Sequence, residues 1–304
     1  MRILVVGAGA TGGYFGGRLL QAGRDVTFLV RPARAALLAE RGLRIKGEAV
    51  LQPSTAVSGT YDLVLLAVKS YSLESALADV APAVGPRSVV IPLLNGMRHV
   101  DAMVGAFGAE RAWGGVCMIH ATLDDAGDVI QMTGLHRIAY GPLDGGPDDR
   151  LEGVTAALTG AGFDSRPSTA IVQEMWEKWV LLATLGSATT LLRASMGAIN
   201  AAPGGAAFGQ ALAAEAVAVA TAAGHAPRAK ALAMLEGAIS TTEPTTSSMY
   251  RDLVQGLPVE ADAIVGDMVA EAAKHGVAVP LLSAAYTGLA IYSDSRYGHG
   301  VPPN

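Results

Sequence analysis

The chain opens with the stretch MRILVVGAGATG, residues 1–12, in which an apolar run ends in a GxGxxG turn. The run predicts a buried strand, and the residues after the turn predict a helix whose N–H groups favour an anion. Gly7 permits the tight turn, Gly9 lets the backbone approach a pyrophosphate, and Gly12 lets the helix lie close to the strand. A plain glycine turn is the alternative, since the chain has 37 Gly. The residues predicted to bind a dinucleotide are Gly7, Ala8, Gly9, Ala10, Thr11 and Gly12.

Length and composition limit the class of protein. With 304 residues, a net charge of −5 and 16% charged residues, the chain is long enough for about two domains and lacks a basic surface for nucleic acid. No apolar run approaches the ~20 residues that span a bilayer, and the start does not resemble a signal peptide. We therefore expect a cytoplasmic protein that has neither nucleic acid nor a membrane as a partner.

Cysteine and histidine usage argues against metal chemistry. Cys117 is the only cysteine, which excludes an internal disulfide and predicts a small buried side chain. The six histidines show neither HxxxH nor HxH spacing. We therefore expect no metal site.

The first half alternates β-rich runs with helical stretches, and the second half is helical almost throughout. This order predicts an α/β fold, with an N-terminal Rossmann-like doubly wound parallel sheet and a C-terminal all-α domain. We expect a NADP-binding domain at 1–167 and a substrate or dimerisation domain at 168–304, because Pro167 ends one element and Ser168 can cap the next helix. The predicted strands are Arg2–Val6, Val26–Val30, Leu63–Val68, Ser88–Leu94 and Trp113–His120, with a hairpin of Asp128–Met132 and Arg137–Tyr140 that closes this sheet.

The helical half contains one stretch that is apolar around most of its circumference, Gly205–Ala223. This predicts burial by other helices or by a second subunit, and the second alternative is a homodimer. The last residues, Ser295 to Asn304, are interpreted as a loose tail. The predicted helices are Thr169–Leu192, Gly205–Ala223, Arg228–Gly237 and Pro258–His275.

Three polar residues follow predicted parallel strands, at the edge where open α/β sheets bind their ligands. Arg31 stands where a carboxylate normally holds the ribose 2′-OH of NAD, and an arginine there suits the 2′-phosphate of NADP. Lys69 is placed to hold a phosphate or a substrate carboxylate. Asn95 can bind a ribose and a substrate oxygen with one donor and one acceptor. The alternatives are a solvated arginine and an ordinary Asn-Gly turn.

Two ionisable residues interrupt apolar helical faces in the second half. Lys178 shares its side of a helix with Met175, Trp179 and Leu182. It either extends to solvent or is held in a cleft. Glu260 lies at a predicted helix start, where a carboxylate often only complements the helix dipole. A partly buried lysine beside a carboxylate would supply charge and a proton to the oxygen of a ketone that accepts hydride.

Short motifs follow one another in a definite order along the chain. They are GAGATG at 7–12, AVK at 67–69, LNGM at 94–97, IHA at 119–121, WEK at 176–178, SSM at 247–249, VEAD at 259–262 and HGVAVP at 275–280. In this order and spacing the chain resembles the ketopantoate reductase family, the 2-dehydropantoate 2-reductases, which reduce a branched 2-oxo acid with NADPH. The resemblance covers essentially the whole chain.

The resemblance implies a role for several of these residues, and a place in pantothenate biosynthesis. Lys178 would donate the proton, and Glu260 would contact the cofactor and the lysine. Asn95 would bridge cofactor and substrate, and Ser248 would hydrogen-bond the substrate. The further cofactor neighbours that it implies are Lys69 and Ala121.

The chain departs from the family pattern where the substrate is bound. The family has asparagines one and two turns after the lysine, where this chain has Leu182 and Gly186. A further asparagine is replaced near Met196, and Thr245-Thr246 stands in place of an Asn-Arg pair. Each lost amide leaves a substrate group unpaired, at a cost on the order of 1–3 kcal/mol. The candidate replacements for the lost amides are Asn200 and Thr184.

Three interpretations of function remain. The first is an NADPH-dependent reductase of 2-dehydropantoate. The second is a family paralogue that reduces a less hydroxylated or larger 2-oxo acid, which Leu182 and Gly186 favour. The third is a non-catalytic NADP-binding sensor or assembly protein, against which the presence of both Lys178 and Glu260 argues.

Overall fold

The N-terminal half alternates short apolar strands with helices, as its sequence pattern predicts. The computed structural model of the protein describes residues 1–297. The first elements, in chain order, are β1 (Arg2–Val6), α1 (Ala10–Gln21), β2 (Asp25–Leu29), α2 (Pro32–Arg41), β3 (Tyr61–Leu66), α3 (Leu73–Val80), β4 (Val84–Pro92) and α4 (Arg98–Phe107).

The four strands form one sheet in the order β2-β1-β3-β4, and every neighbouring pair is parallel. Alternate residues of β1 enter two different cores. Ile3 and Val5 pack in the core that contains α1, and Leu4 and Val6 pack in the core that contains α3 and α4. Helices therefore cover both faces of the sheet, and the predicted doubly wound parallel sheet is confirmed.

A second sheet follows, and here the predicted hairpin is wrong. Its elements are β5 (Trp113–Leu123), β6 (Val129–Pro142), α5 (Leu151–Leu158) and β7 (Asp164–Pro167), with strand order β5-β6-β7. The two predicted strands Asp128–Met132 and Arg137–Tyr140 belong to the single strand β6, which pairs antiparallel with β5 and does not close the parallel sheet.

The physical reason is a bulge where the sequence predicts a turn. The register of β5 and β6 shifts between the pairs Ile119 with His136 and Ala121 with Gln131, so the residues between Gln131 and His136 bulge out of the ladder. The chain reverses earlier, where Asp124 N–H donates to Asp128 O. Gly127 supplies the positive φ of +81° that this turn needs. The buried Cys117 lies in β5, as predicted.

The C-terminal part is helical, which confirms the second half of the predicted fold class. One helix starts later than predicted: the segment after Pro258 begins helical turns only beyond Glu260, with a π-helical turn at Asp262–Gly266. The predicted tail is partly helical too, since the last described helix extends to Tyr297, and residues 298–304 lie outside the described residues. The helices are α6 (Ile171–Leu192), α7 (Met196–Ala201), α8 (Gly205–Ala222), α9 (Ala229–Ile239), α10 (Ser248–Val254), α11 (Asp267–Lys274) and α12 (Pro280–Tyr297).

Helix α8 packs against α7, α9, α11 and α12. Its buried face includes Leu212, Ala216 and Val219, and its Glu215 carboxylate accepts hydrogen bonds from the N–H groups of Leu281 and Leu282 at the start of α12. Within residues 1–297, α8 is the one helix that is long and apolar enough to cross a membrane by length and composition. The buried core helix of a soluble protein meets the same criterion.

Contacts between Cα atoms divide the chain into two compact units. The first contains Met1–Leu94 and His99–Val172, and the second contains Asn95–Arg98 with the chain from Gln173 onward. The tetrapeptide after β4 therefore belongs to the helical unit, although the strand before it belongs to the first unit.

Candidate active site

The glycine turn after β1 has no room for side chains where helix and strand meet. Gly7 has φ of +93°, and its N–H donates to Leu29 O at 2.9 Å. A Cβ at Gly12 would lie 2.0 Å from the carbonyl oxygen of Gly7, so the helix lies directly on the turn. At Gly9, apart from its chain neighbours, no atom of the described residues 1–297 lies within 4 Å of the position of a Cβ. The backbone at Gly9 is therefore open to a close approach.

The start of α1 is suited to an anion. Gly9 is its N-cap residue and makes no side-chain cap, and the first turn contains no acidic residue. The helix dipole and the N–H groups of this turn therefore meet no negative side chain of the first turn. The residues present fit the pyrophosphate of a dinucleotide.

Arg31 and Arg34 border this turn in different ways. Arg31 is the N-cap residue of α2, is exposed, and donates from Nη2 to Ser72 Oγ at 2.9 Å. Arg34 donates from Nε to Ala8 O at 3.1 Å and from Nη2 to Gly127 O at 3.0 Å. Arg34 therefore holds the glycine turn itself, while Arg31 is oriented by a serine that the sequence analysis did not identify.

Lys69 and Ala121 lie in the same unit as the glycine turn. Val6 is opposite Leu29 and Leu66 in the sheet, so Gly7 and the segments that lead to Arg31 and Lys69 begin at one sheet edge. Lys69 is half-buried and precedes a short 3₁₀ turn at Ser70–Ser72. Ala121 lies in β5 at the register shift. Residues of β5 contact α1, which places Ala121 in the strand beside the helix that follows the glycine turn.

Asn95 and Glu260 are brought together in the helical unit. Nδ2 of Asn95 lies 3.5 Å from Oε2 of Glu260, whose side chain is only 6% exposed. Gly96 has φ of +78°, and a Cβ there would lie 2.2 Å from the carbonyl oxygen of Ala263. The Asn-Gly pair is thus a turn and also a close backbone contact with the segment that follows Glu260.

An ionic cluster that the sequence analysis did not predict fixes the same loop. Arg98 binds the Asp267 carboxylate through Nε and Nη2, with 2.7 Å from Nε to Oδ2. In the π-helical turn that precedes Asp267, Asp262 Oδ1 accepts a hydrogen bond from the Tyr286 hydroxyl at 2.7 Å. The Asp262 carboxylate raises the pKa of Tyr286 to about 12. These contacts hold the residues after Asn95 to the start of α11.

Lys178 lies in α6 and is half-buried. Its neighbour Trp179 donates from Nε1 to Ile264 O at 2.9 Å, which attaches α6 to the π-helical turn after Glu260. Glu177 receives 2.7 Å hydrogen bonds from Nε and Nη2 of Arg228. Burial opposes its charged form, but the Arg228 hydrogen bonds outweigh burial and keep the pKa of Glu177 below its usual range. Glu177 and Trp179, the residues on either side of Lys178 in the chain, are therefore each held by hydrogen bonds to residues distant in sequence.

Ser248 is the first residue of α10 and is exposed. The serine before it has the structural role: Ser247 is the N-cap, and its Oγ accepts from Tyr250 N–H at 3.0 Å. The same Oγ lies 2.8 Å from Thr189 Oγ1 in α6. The double serine therefore divides into one residue that attaches α10 to α6 and one that remains accessible.

The positions that depart from the family pattern are largely apolar. Leu182 is half-buried, Gly186 is buried, and Met196 is fully buried. The candidate replacements are engaged elsewhere. Asn200 donates its amide to the carbonyls of Ile239 and Thr241, and the fully buried Thr184 donates to Val180 O. The structure therefore supports neither Asn200 nor Thr184 as a substitute for a lost amide.

A parallel sheet whose first strand ends in a glycine turn suited to the pyrophosphate of a dinucleotide is typical of oxidoreductases that use a nicotinamide cofactor. Family models agree over most of the chain. The model described as "Ketopantoate reductase PanE/ApbA" matches residues 3–145, and the model described as "Ketopantoate reductase PanE/ApbA C terminal" matches residues 170–292. The chain belongs to the ketopantoate reductase family.

Individual relatives share this fold over nearly their whole length. The chain is 36% identical to "Uncharacterized oxidoreductase YkpB" of Bacillus subtilis, over 97% of this chain and 100% of that protein. It is 28% identical to "2-dehydropantoate 2-reductase" of Mesorhizobium japonicum, over 87% and 89%. A D-mandelate dehydrogenase solved with NADH and anilino(oxo)acetate has the same fold, with a TM-score of 0.86, 24% identity and coverage of 97% and 99%.

Proposed function

We propose that the protein reduces a 2-oxo acid to a 2-hydroxy acid with NADPH, and that Lys178 donates the proton. The observation that carries the proposal is the placement of Lys178. It is half-buried on α6, which is attached through Trp179 to the turn that follows the buried carboxylate of Glu260. Family membership supports the same reaction type.

The chemistry assigns a separate task to each residue. When held by the glycine turn and Arg31, NADPH would supply a hydride to the keto carbon, and the electron pair of the carbonyl π bond would move to the oxygen. The Lys178 ammonium stabilises the negative charge on that oxygen and donates a proton to it, which gives the hydroxyl of the product. Asn95, held beside Glu260, offers an amide to orient the carbonyl. The neutral lysine is then reprotonated from solvent.

The cofactor proposal depends on Arg31. Its guanidinium lies at the sheet edge that carries the glycine turn and is oriented by Ser72. A 2′-phosphate accepts charge-assisted hydrogen bonds from such a group, whereas a 2′-hydroxyl gains less. This favours NADPH over NADH in this chain, although a neighbour of the same fold was solved with NADH.

Two substrates are the candidates within the 2-oxo acids. 2-Dehydropantoate is the first, because relatives of this family are named for it. A 2-oxo acid without its hydroxyl is the second, and the apolar residues Leu182 and Gly186 favour it. Both candidates need the same hydride acceptor and the same proton donor.

The test is NADPH oxidation by the purified protein with a panel of 2-oxo acids. We expect turnover with at least one of them, and Lys178→Ala should reduce kcat by about 10²–10⁴-fold because the proton donor is removed. Lys230→Ala, in the first turn of α9, is the matched control and should leave kcat unchanged. Tight NADPH binding without any turnover would instead support a non-catalytic sensor, and full activity of Lys178→Ala would remove its assigned role.

A further inference from the structure

We propose that the site takes a 2-oxo acid with an apolar substituent beside the keto group, a branched alkyl or aryl group without a hydroxyl, and that Leu182 and the Met249–Gly186 contact set this preference. The inference rests on the proposed reductase function. It concerns the side chain of the substrate and not the reaction.

The helix geometry places both positions on the Lys178 side of α6. Leu182 and Gly186 follow Lys178 by four and eight residues, which is about 6 Å and about 12 Å along the helix axis. Residues four apart lie on the same face of a helix. The wall that extends along α6 from the proton donor is therefore formed by a leucine and a glycine.

Met249 fills the space that a side chain at position 186 would take. A Cβ at Gly186 would lie 2.7 Å from Met249 Cε and 3.9 Å from Ile264 Cγ2. Met249 is itself only 2% exposed. A thioether methyl thus covers the helix backbone at the position where an amide would otherwise project, and it offers no hydrogen-bond donor.

The position of Met249 is fixed by hydrogen bonds on both sides. Ser247 caps α10 through Tyr250 N–H and bonds with Thr189 of α6. Thr189 in turn donates to Leu185 O, one residue before Gly186. The first turn of α10 is therefore attached to the turn of α6 that contains Gly186, and Met249 is held against it.

Asn200, Thr184 and Met196 do not restore the missing polarity. Asn200 and Thr184 give their donors to backbone carbonyls, and Met196 is fully buried. A substrate hydroxyl that lies against the half-buried Leu182 would lose water and gain no hydrogen-bond partner from the side chains of Leu182 or Met249. An apolar substituent would instead gain from the contact, so we expect a rate preference of about tenfold or more for the substrate without a hydroxyl.

The decisive pair of substrates differs by one oxygen. They are 2-dehydropantoate, which is 4-hydroxy-3,3-dimethyl-2-oxobutanoate, and 3,3-dimethyl-2-oxobutanoate. With NADPH we expect kcat/KM for the second to exceed the first by about tenfold or more. An equal or higher value for 2-dehydropantoate overturns the inference and leaves the reductase proposal intact. No turnover of either acid, of 4-methyl-2-oxopentanoate or of phenylglyoxylate overturns both.

Variants of the wall assign the preference to its residues. Leu182→Asn, at a half-buried position that tolerates an amide, should lower the ratio of the two kcat/KM values by at least about tenfold. Met249→Ala with Gly186→Asn should shift it in the same direction, because removing the methyl makes room for the amide. Met234→Ala, at an exposed position of α9, is the matched control and should leave the ratio unchanged. An unchanged ratio in folded Leu182→Asn overturns the assignment to this wall.

Discussion

At the scale of single residues, two kinds of residue shape the site. They are glycines with no room for a Cβ, and arginines whose side chains bind defined partners. At Gly12 and at Gly96, an added Cβ would collide with a backbone carbonyl oxygen. Arg31 and Arg98 each bind a side chain distant in sequence. We therefore expect a substitution at Arg31 to change cofactor binding and a substitution at Gly96 to change the stability of the fold.

Arg31→Ala should remove most of the preference for NADPH. Loss of a charge-assisted hydrogen bond to a phosphate costs about 1.5–3 kcal/mol, so KM for NADPH should rise by roughly 10- to 150-fold while KM for NADH changes little. Steady-state kinetics with both cofactors measure this. Arg87→Ala, which removes an exposed ion pair with Asp149, is the control. An unchanged NADPH/NADH ratio in Arg31→Ala would contradict the 2′-phosphate contact.

Gly96→Ala should destabilise the protein. The added Cβ would lie 2.2 Å from Ala263 O, and the alanine would have to adopt a φ of +78°. We expect this to cost about 1–3 kcal/mol. Urea unfolding measures the difference. Gly105→Ala gives a control of opposite sign: Gly105 is exposed in α4, an added Cβ would meet no atom of the rest of the described chain within 4 Å, and the protein should gain roughly 0.5–1 kcal/mol. Equal effects of the two substitutions would contradict this account.

At the scale of elements, the sequence predicted well wherever local pattern decides the structure. The parallel strands are continuous apolar runs that end at Gly or polar residues. Such strands can be predicted without knowing which strands they pair with. The predicted hairpin failed because Thr133-Gly134 has the composition of a turn, while its conformation depends on pairing with β5. The late start of the helix after Glu260 was also not predicted, and this segment contacts Gly96, which is distant in sequence, at Ala263.

The same distinction holds for the site. The glycine turn, Arg31, Lys178 and Glu260 stand in motifs that a sequence reveals. The side-chain contacts around the site are long-range: Ser72 lies 41 residues from Arg31 along the chain, and Asp267 lies 169 residues from Arg98. No local spacing encodes such pairs, so Ser72 and Asp267 could not be identified as partners from the sequence.

The attachment of α6 to the loop before α9 should depend on pH. Because the folded pKa of Glu177 is lowered, its ion pair with Arg228 stabilises the fold above the unfolded pKa of about 4.3, and this stabilisation is lost as pH falls through the folded pKa. Arg228→Ala should therefore reduce the free energy of unfolding at pH 7 by up to about 1 kcal/mol, since Arg228 is half-exposed, and by less at pH 3.

Urea titrations at the two pH values measure this difference. The control is again Arg87→Ala, whose partner Asp149 is as exposed as the arginine itself, and we expect it to change little at either pH. A loss of stability in Arg228→Ala that is equal at pH 7 and pH 3 would show that the arginine acts by packing and not through the Glu177 carboxylate.

At the scale of the whole molecule, cofactor binding and folding are linked. NADPH at about 100 times its Kd should stabilise the folded protein by about 2.7 kcal/mol, and the midpoint of thermal unfolding should rise by several degrees. Lys178→Ala should keep this shift, because the role proposed for the lysine is toward the substrate oxygen and not the cofactor. Arg31→Ala should lose much of it. Differential scanning fluorimetry checks all three proteins, and the absence of a shift in the unmodified protein would contradict NADPH binding.

The tetrapeptide Asn95–Arg98 has a consequence for dissecting the protein. Its contacts place it in the helical unit, where Gly96 lies on Ala263 and Arg98 binds Asp267, although 74 residues of the other unit, His99–Val172, separate it from the rest of that unit in sequence. A gene cut between codons 172 and 173 would therefore yield a helical fragment without its own Asn95. Reconstitution from two halves would need that short segment supplied in trans, so the two units are a poor choice for independent expression.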